Sequence, residues 1–220
     1  PERGLIPPDR FIPIADEPGL IVDIGEWVLR QSCCQAKSWH DQGYADLSVS
    51  VNVSAVQFAQ PRLLDTVNRA LADAGLQPQA LTLEITESVI MHDAESAVGM
   101  LRALKHRGVR ISIDDFGTGY SSLSYLKRFP IDILKIDKSF VHTLGINDED
   151  TAIVHAIMAL AKSLRLVTIA EGVETVRQVE MLQKAQCDLF QGFYFSQPLD
   201  IDRLTERLAG ERLQLRTVLH

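Results

Sequence analysis

The sequence predicts an α/β protein built on a parallel sheet, and three observations carry that expectation. Short apolar segments rich in β-branched residues recur along the chain. Stretches with apolar residues at helical spacing lie between most of them. Polar and charged residues gather at the C-terminal end of one short segment after another. Alternation at this pace means βαβ units, and several of the strands are apolar enough to be covered on both faces, as parallel strands are.

The elements follow in order. Pro7-Pro8-Asp9-Arg10 reads as a loop leading into a helix. Leu20, Ile24, Trp27 and Val28 recur at helical spacing ahead of Gly43, and Leu47–Val53 is the first strand. Leu63, Leu64, Val67 and Leu71 mark a helix stopped by Gly75, followed by a strand over Leu81–Ile85. Val98, Leu101 and Leu104 mark the next helix, closed near Gly108 ahead of a strand over Val109–Ile113. A shorter piece, Ser121–Arg128, bridges to the fourth strand, Ile131–Ile136. Ile153, Ile157, Leu160 and Leu164 form a helix with Asp148 or Asp150 as its N-cap, and Leu166–Ile169 is the fifth strand. Val176, Val179 and Leu182 mark a helix before the sixth strand, Leu189–Phe195. Ile201, Leu204 and Leu208 mark the last helix, ending near Gly210.

The chain has 220 residues, 46% of them hydrophobic and 23% charged. That is too rich in Val, Ile and Leu for disorder and long enough for one large core. No linker or low-complexity tract divides it, so a single domain over residues 1–220 is expected. A net charge of −7 rules out a general electrostatic grip on DNA or RNA. No apolar run approaches the ~20 residues of a membrane span. The opening Pro1-Glu2-Arg3-Gly4 lacks the basic and apolar stretches of a signal peptide. Cys33, Cys34 and Cys187 are odd in number and lack zinc-ligand spacing, which fits a reduced, cytoplasmic chain.

The polar residues at the strand ends carry the chemistry. Asn52 ends the first strand, Glu84 lies in the second, Asp114 and Asp115 close the third, and Lys135 lies in the fourth. Glu171 follows the fifth and Gln191 lies in the sixth. In a parallel barrel or a doubly wound sheet, the C-terminal strand ends converge on one face, and that face carries the active site. Carboxylates crowded there cannot all be charged without partners. Hard divalent cations such as Mg²⁺ or Mn²⁺ solve the problem, because they prefer carboxylate, carbonyl and water oxygens. Asp114-Asp115 in tandem suits two such ions, the arrangement used as a clamp in phosphodiester hydrolysis.

Each position also has a plainer explanation. Asn52 could satisfy backbone groups at a strand end, and Asp114-Asp115 could cap a turn. Glu171 could cap the next helix, although Glu174 is the better candidate for that. Glu84 and Lys135, set in apolar strands, are costly unless paired. It is the shared register of all six sites that favours function. The six histidines show no ligand spacing, Cys33-Cys34 reads as helix packing, and there is no P-loop or nucleophile triad. Phe116-Gly117-Thr118-Gly119-Tyr120-Ser121-Ser122 reads as a loop that shapes the metal site.

Taken in order, several segments resemble the EAL family of bacterial cyclic di-GMP phosphodiesterases. They are Pro8-Asp9-Arg10-Phe11-Ile12-Pro13, Asn52-Val53-Ser54, Glu84-Ile85-Thr86-Glu87-Ser88 and Asp114-Asp115-Phe116-Gly117-Thr118-Gly119-Tyr120-Ser121-Ser122. Leu134-Lys135-Ile136-Asp137, Ala170-Glu171-Gly172-Val173-Glu174 and Gln191-Gly192-Phe193-Tyr194-Phe195 complete the set. The resemblance implies a TIM-like (β/α)8 barrel and Mg²⁺- or Mn²⁺-dependent opening of cyclic di-GMP to linear pGpG, with two metals per site. By the same resemblance Asn52, Glu84, Asp114 and Asp115 are metal ligands, and Glu171 is a ligand or general base. Lys135 holds the attacking water and stabilises phosphate charge. Glu87 steadies the loop after Asp115, while Gln191 and Glu174 lie near the nucleotide. A homodimer, neighbouring sensor or GGDEF-type domains and a membrane tether elsewhere in the full-length protein are family expectations.

One departure is large. The Glu-Ala-Leu motif that names the family, whose Glu is a metal ligand, occurs nowhere in this sequence. Six strands are visible where such a barrel has eight, and its typical length is about 250 residues. The domain is therefore expected to be N-terminally incomplete, lacking the first two strands, and to be unstable and inactive in isolation. The alternative activity is a receptor that binds cyclic di-GMP without cutting it. A third reading is a purely structural or dimerising domain.

Overall fold

The computed structural model describes residues 8–16, 19–119 and 123–218. Its first element is α1 (Pro8–Asp16). A proline suits a first helical turn, where its missing N–H leaves no bond unmade, so Pro8-Asp9-Arg10 is helix and not the expected lead-in loop. Pro7, Pro1–Gly4 and Tyr120–Ser122 lie outside the described residues. α2 (Leu20–Asp41) buries Ile21, Leu29, Cys33, Ala36 and Trp39 along one stripe. After β1 (Val49–Asn52) comes a short helix, α3 (Ala55–Phe58). Its N-terminus is a capping box in which Ser54 and Gln57 satisfy each other's backbone N–H groups. α4 (Leu63–Ala74) ends on Gly75, in the left-handed region.

β2 (Leu81–Thr86) leads into α5 (Glu87–His92) and α6 (Ala94–Arg107), then β3 (Arg110–Phe116). α7 (Leu123–Leu126), β4 (Ile133–Ile136) and α8 (Lys138–His142) follow. α9 (Asp148–Leu164) is capped by Asn147, whose side chain accepts the N–H groups of Glu149 and Asp150. The expected caps Asp148 and Asp150 instead sit in the first turn, where their charge favours the helix dipole. β5 (Val167–Ala170) and α10 (Val176–Lys184) come next, and α10 is capped by Thr175, not Glu174.

β6 (Leu189–Phe190) is far shorter than expected. A Cβ on Gly192 would lie 2.1 Å from the Val173 carbonyl oxygen, so the backbones touch there and the chain turns away. Phe193, Tyr194 and Phe195 belong to that turn, with the Phe195 N–H bonded to the Gly192 carbonyl at 3.1 Å. α11 (Ile201–Val218) passes through Gly210 without stopping. Among the described residues no helix is long and apolar enough to cross a membrane.

The strands form one sheet in the order β1-β2-β3-β4-β5-β6, and every neighbouring pair is parallel. Period-two alternation sorts the side chains into two faces. Leu81, Leu83, Ile85, Ile111, Ile113, Leu134 and Ile136 face the helices and share a core with Leu101 and Leu104 of α6. Thr82, Glu84, Ser112, Asp114 and Lys135 lie on the opposite face, and all are buried. The sheet is thus apolar toward its helices and polar on its other side.

Candidate active site

Lys135 is the centre of the polar face. Its side chain is 3% exposed, and its Nζ lies 2.8 Å from Glu84, 3.0 Å from Asp114 and 2.6 Å from Glu171. β2, β3, β4 and the end of β5 each supply one member, so the parallel register builds the cluster. Burial alone favours the neutral amine, but Glu84, Glu171 and Asp114 outweigh it and hold the ammonium above the usual lysine range.

Asp115 joins through a local irregularity. In a regular strand Asp114 and Asp115 would face opposite sides of the sheet. The pairing of β3 with β4 shifts register between Ile113 and Phe116, and Asp115 takes a left-handed φ of 54°. The bulge brings both carboxylates to one side. Asp114, Asp115 and Glu171 then place an oxygen each within 4.8 Å of one another. Burial raises the Glu171 pKa, with Lys135 opposing and Asp114 and Glu84 adding to the rise. Burial also raises that of Asp115, and the charges of Asp114 and Asp137 add to the effect.

Glu87, at the start of α5, is 4% exposed and accepts the Gly117 N–H at 3.0 Å. A Cβ on Gly119 would stand 2.9 Å from Glu87 Oε1, so the loop after β3 wraps closely round this carboxylate. Asn52, Gln191 and Glu174 stand at the rim, without the direct bonds to Lys135 that unite the central carboxylates. Asn52 is exposed at the end of β1, in register with Glu84. Gln191 is exposed just past β6; its N–H donates to the Ala170 carbonyl at 2.8 Å and its carbonyl accepts the Val173 N–H at 3.0 Å. Glu174 is exposed and lies 3.5 Å from His142 Nε2.

One residue escaped sequence reasoning. Asp137 caps α8 through Ser139 and stands against Asp115. Burial would raise its pKa, but the hydrogen bonds from Ser139 win and hold it low. The available signal was its place two residues after Lys135, on the same side of the chain.

Glu84, Asp114 and Glu171 meet one ammonium and Asp115 stands beside Asp114 and Glu171, so the cluster offers more carboxylates than Lys135 can neutralise. All the donors are hard oxygens, the set that suits Mg²⁺ or Mn²⁺. A divalent cation fits these residues.

Comparison with known proteins agrees with this geometry. MucR of Pseudomonas aeruginosa, a bifunctional diguanylate cyclase/cyclic di-GMP phosphodiesterase, is 49% identical over 209 residues, covering 95% of this chain and 30% of MucR. The cyclic di-GMP phosphodiesterase NbdA of the same organism is 43% identical over 212 residues, covering 96% of this chain and 27% of NbdA. The chain thus spans less than a third of either relative. The solved structure of the PaMucR phosphodiesterase in its c-di-GMP complex superposes with a TM-score of 0.91 at 50% identity, covering 93% of this chain and 83% of that one. The six-stranded parallel sheet is therefore part of a TIM-barrel-like architecture. The family model described as the EAL domain matches residues 1–198, and the chain belongs to that family.

Proposed function

We propose that this domain, within the intact protein, hydrolyses one phosphodiester bond of cyclic di-GMP to give linear pGpG. The observation that carries the proposal is the buried Lys135 ammonium bonded to Glu84, Asp114 and Glu171, with Asp115 turned onto the same side. The named activities of MucR and NbdA and the c-di-GMP complex of PaMucR support it.

Asn52, Glu84, Asp114, Asp115 and Glu171 would hold two Mg²⁺ or Mn²⁺ ions. Such a pair supplies Lewis-acid neutralisation of phosphoryl charge and makes water more acidic. Lys135 keeps its proton, orients the attacking water and offsets charge on the phosphate. Glu171, with its raised pKa and its place beside Lys135, takes the proton of that water as general base. The P–O bond to one ribose 3′-oxygen breaks, that oxygen takes up a proton to become a 3′-hydroxyl, and a 5′-phosphate forms. Gln191 and Glu174, on the rim, contact the nucleotide, and Glu87 keeps the loop after β3 in place. The intact protein carries further signalling domains, of sensor or GGDEF type, and acts as a homodimer.

The test is turnover in the intact protein with Mg²⁺ or Mn²⁺, beside calorimetric binding of cyclic di-GMP with Ca²⁺. Asp114→Asn and Lys135→Ala are each expected to remove activity. Undiminished turnover in either variant overturns the assigned roles. Binding without turnover in the unmodified protein identifies a receptor instead of a hydrolase.

A further inference from the structure

We infer that Gln178, on α10, is a positioning residue that sets the distance between the two loops carrying the site's acids. The inference rests on the proposed metal site and concerns a residue given no role there.

Gln178 is 7% exposed, and its side-chain amide makes three hydrogen bonds. Its Oε1 accepts the Glu174 N–H at 2.8 Å and the Thr175 N–H at 2.9 Å. Its Nε2 donates to the Val141 carbonyl at 3.1 Å. The first two bonds fix the end of the turn that begins at Glu171. The third reaches the last turn of α8, whose N-terminal cap is Asp137, the neighbour of Asp115. One amide therefore ties the Glu171 turn to the helix that holds Asp137. A capping box would use only the bond to the Thr175 N–H; the bonds to Glu174 and Val141 go beyond capping. The contact is close in this region as well, since a Cβ on Gly172 would lie 2.6 Å from Lys138 Cβ, so the turn and α8 cannot approach further. Gln178 prevents them from separating. Ligand groups held loosely by about 1 Å lose much of their effect, which is why supporting hydrogen bonds matter at metal sites.

Gln178→Met keeps the length and removes all three bonds. In the intact protein it is expected to weaken Mn²⁺ binding, read by electron paramagnetic resonance without substrate, by about tenfold, within the range for lost supporting partners. kcat is expected to fall by a similar factor, and the Glu174 and Thr175 amides to exchange faster with solvent. Thr175→Ala removes the other half of the capping box and is expected to lower Tm while leaving Mn²⁺ affinity within twofold. Wild-type Mn²⁺ affinity in Gln178→Met overturns the inference, as does equal weakening in Thr175→Ala. If Gln178→Met does not fold, Gln178→Glu keeps the acceptor and loses the donor to Val141, and undiminished Mn²⁺ affinity there overturns the inference. Absence of Mn²⁺ binding in the unmodified protein defeats the metal-site reading itself. The amide exchange of Glu174 and Thr175 in Gln178→Met then decides the tie separately.

Discussion

A lysine buried between Leu134 and Ile136 is stable only because three carboxylates meet it. Removing one partner from a buried ionic group typically costs about 3–5 kcal/mol, because the other charges remain unpaired. Lys135→Met should therefore lower the unfolding free energy, read by urea denaturation, by an amount in that range, and Mg²⁺ should restore more stability to the variant than it adds to the unmodified protein. Equal Mg²⁺ effects in the two would show that Lys135 does not compensate the cation site. The thiols allow a second test. Burial pushes Cys33 up to about 11, with Cys34 beside it adding to the rise, and burial also raises Cys187. Cys34 is exposed, so a native-state alkylating reagent should modify Cys34 first and leave the other two intact until unfolding. Much of this was legible in the sequence. A buried ammonium demands anions, and the register of Glu84, Asp114 and Glu171 supplied them. Asp115 was legible as the tandem partner of Asp114, but the bulge that turns it onto the same side was not, because a bulge is set by strand pairing and not by local residue type. Asp137 was hidden for a related reason: its importance comes from a neighbour reached only through that bulge.

The elements that sequence reasoning missed are the short ones. α3, α5 and α8 span 4, 6 and 5 residues, too few for a 3.6-residue period to show. Their capping residues carried more information: Ser54 with Gln57, and Asp137 with Ser139, are local hydrogen-bond patterns readable without periodicity. The end of the last helix failed differently, because an exposed glycine can sit inside a helix at a cost of about 1 kcal/mol. Asn147→Ala should destabilise the chain by about 1 kcal/mol, read by urea unfolding, since it removes the acceptor for two N–H groups at the start of α9. Asp148→Ala should cost less, because its charge acts only through the helix dipole. Glu87→Ala works on the loop after β3. It frees the Gly117 N–H and should reduce turnover with smaller loss than Lys135→Ala.

At the scale of the whole molecule, the sheet order follows the chain order without exception. The strand–helix alternation made the parallel sheet legible, while the shortness of β6 was not, because it depends on a backbone contact between Gly192 and Val173. β2, β3 and β4 have neighbours on both sides and bury Leu81, Leu83, Ile111 and Ile136 completely. Their amides should exchange slowest, and those of β1 and β6 fastest, in native-state hydrogen exchange. Uniform protection across all six strands would contradict that ranking. The last helix is fastened across the molecule by the Trp39 indole, which donates to Thr205 at 2.9 Å over 166 residues of sequence. The strictly sequential order also bears on synthesis. As the ribosome releases the chain, each new strand meets a partner that has already emerged, so the sheet can grow by accretion. The charges do not arrive in balance, however. Glu84, Asp114 and Asp115 leave the ribosome before Lys135, and Glu171 comes 36 residues later. A nascent chain paused before Lys135 holds three acids without their ammonium, and the centre of the sheet can close tightly only after that residue appears.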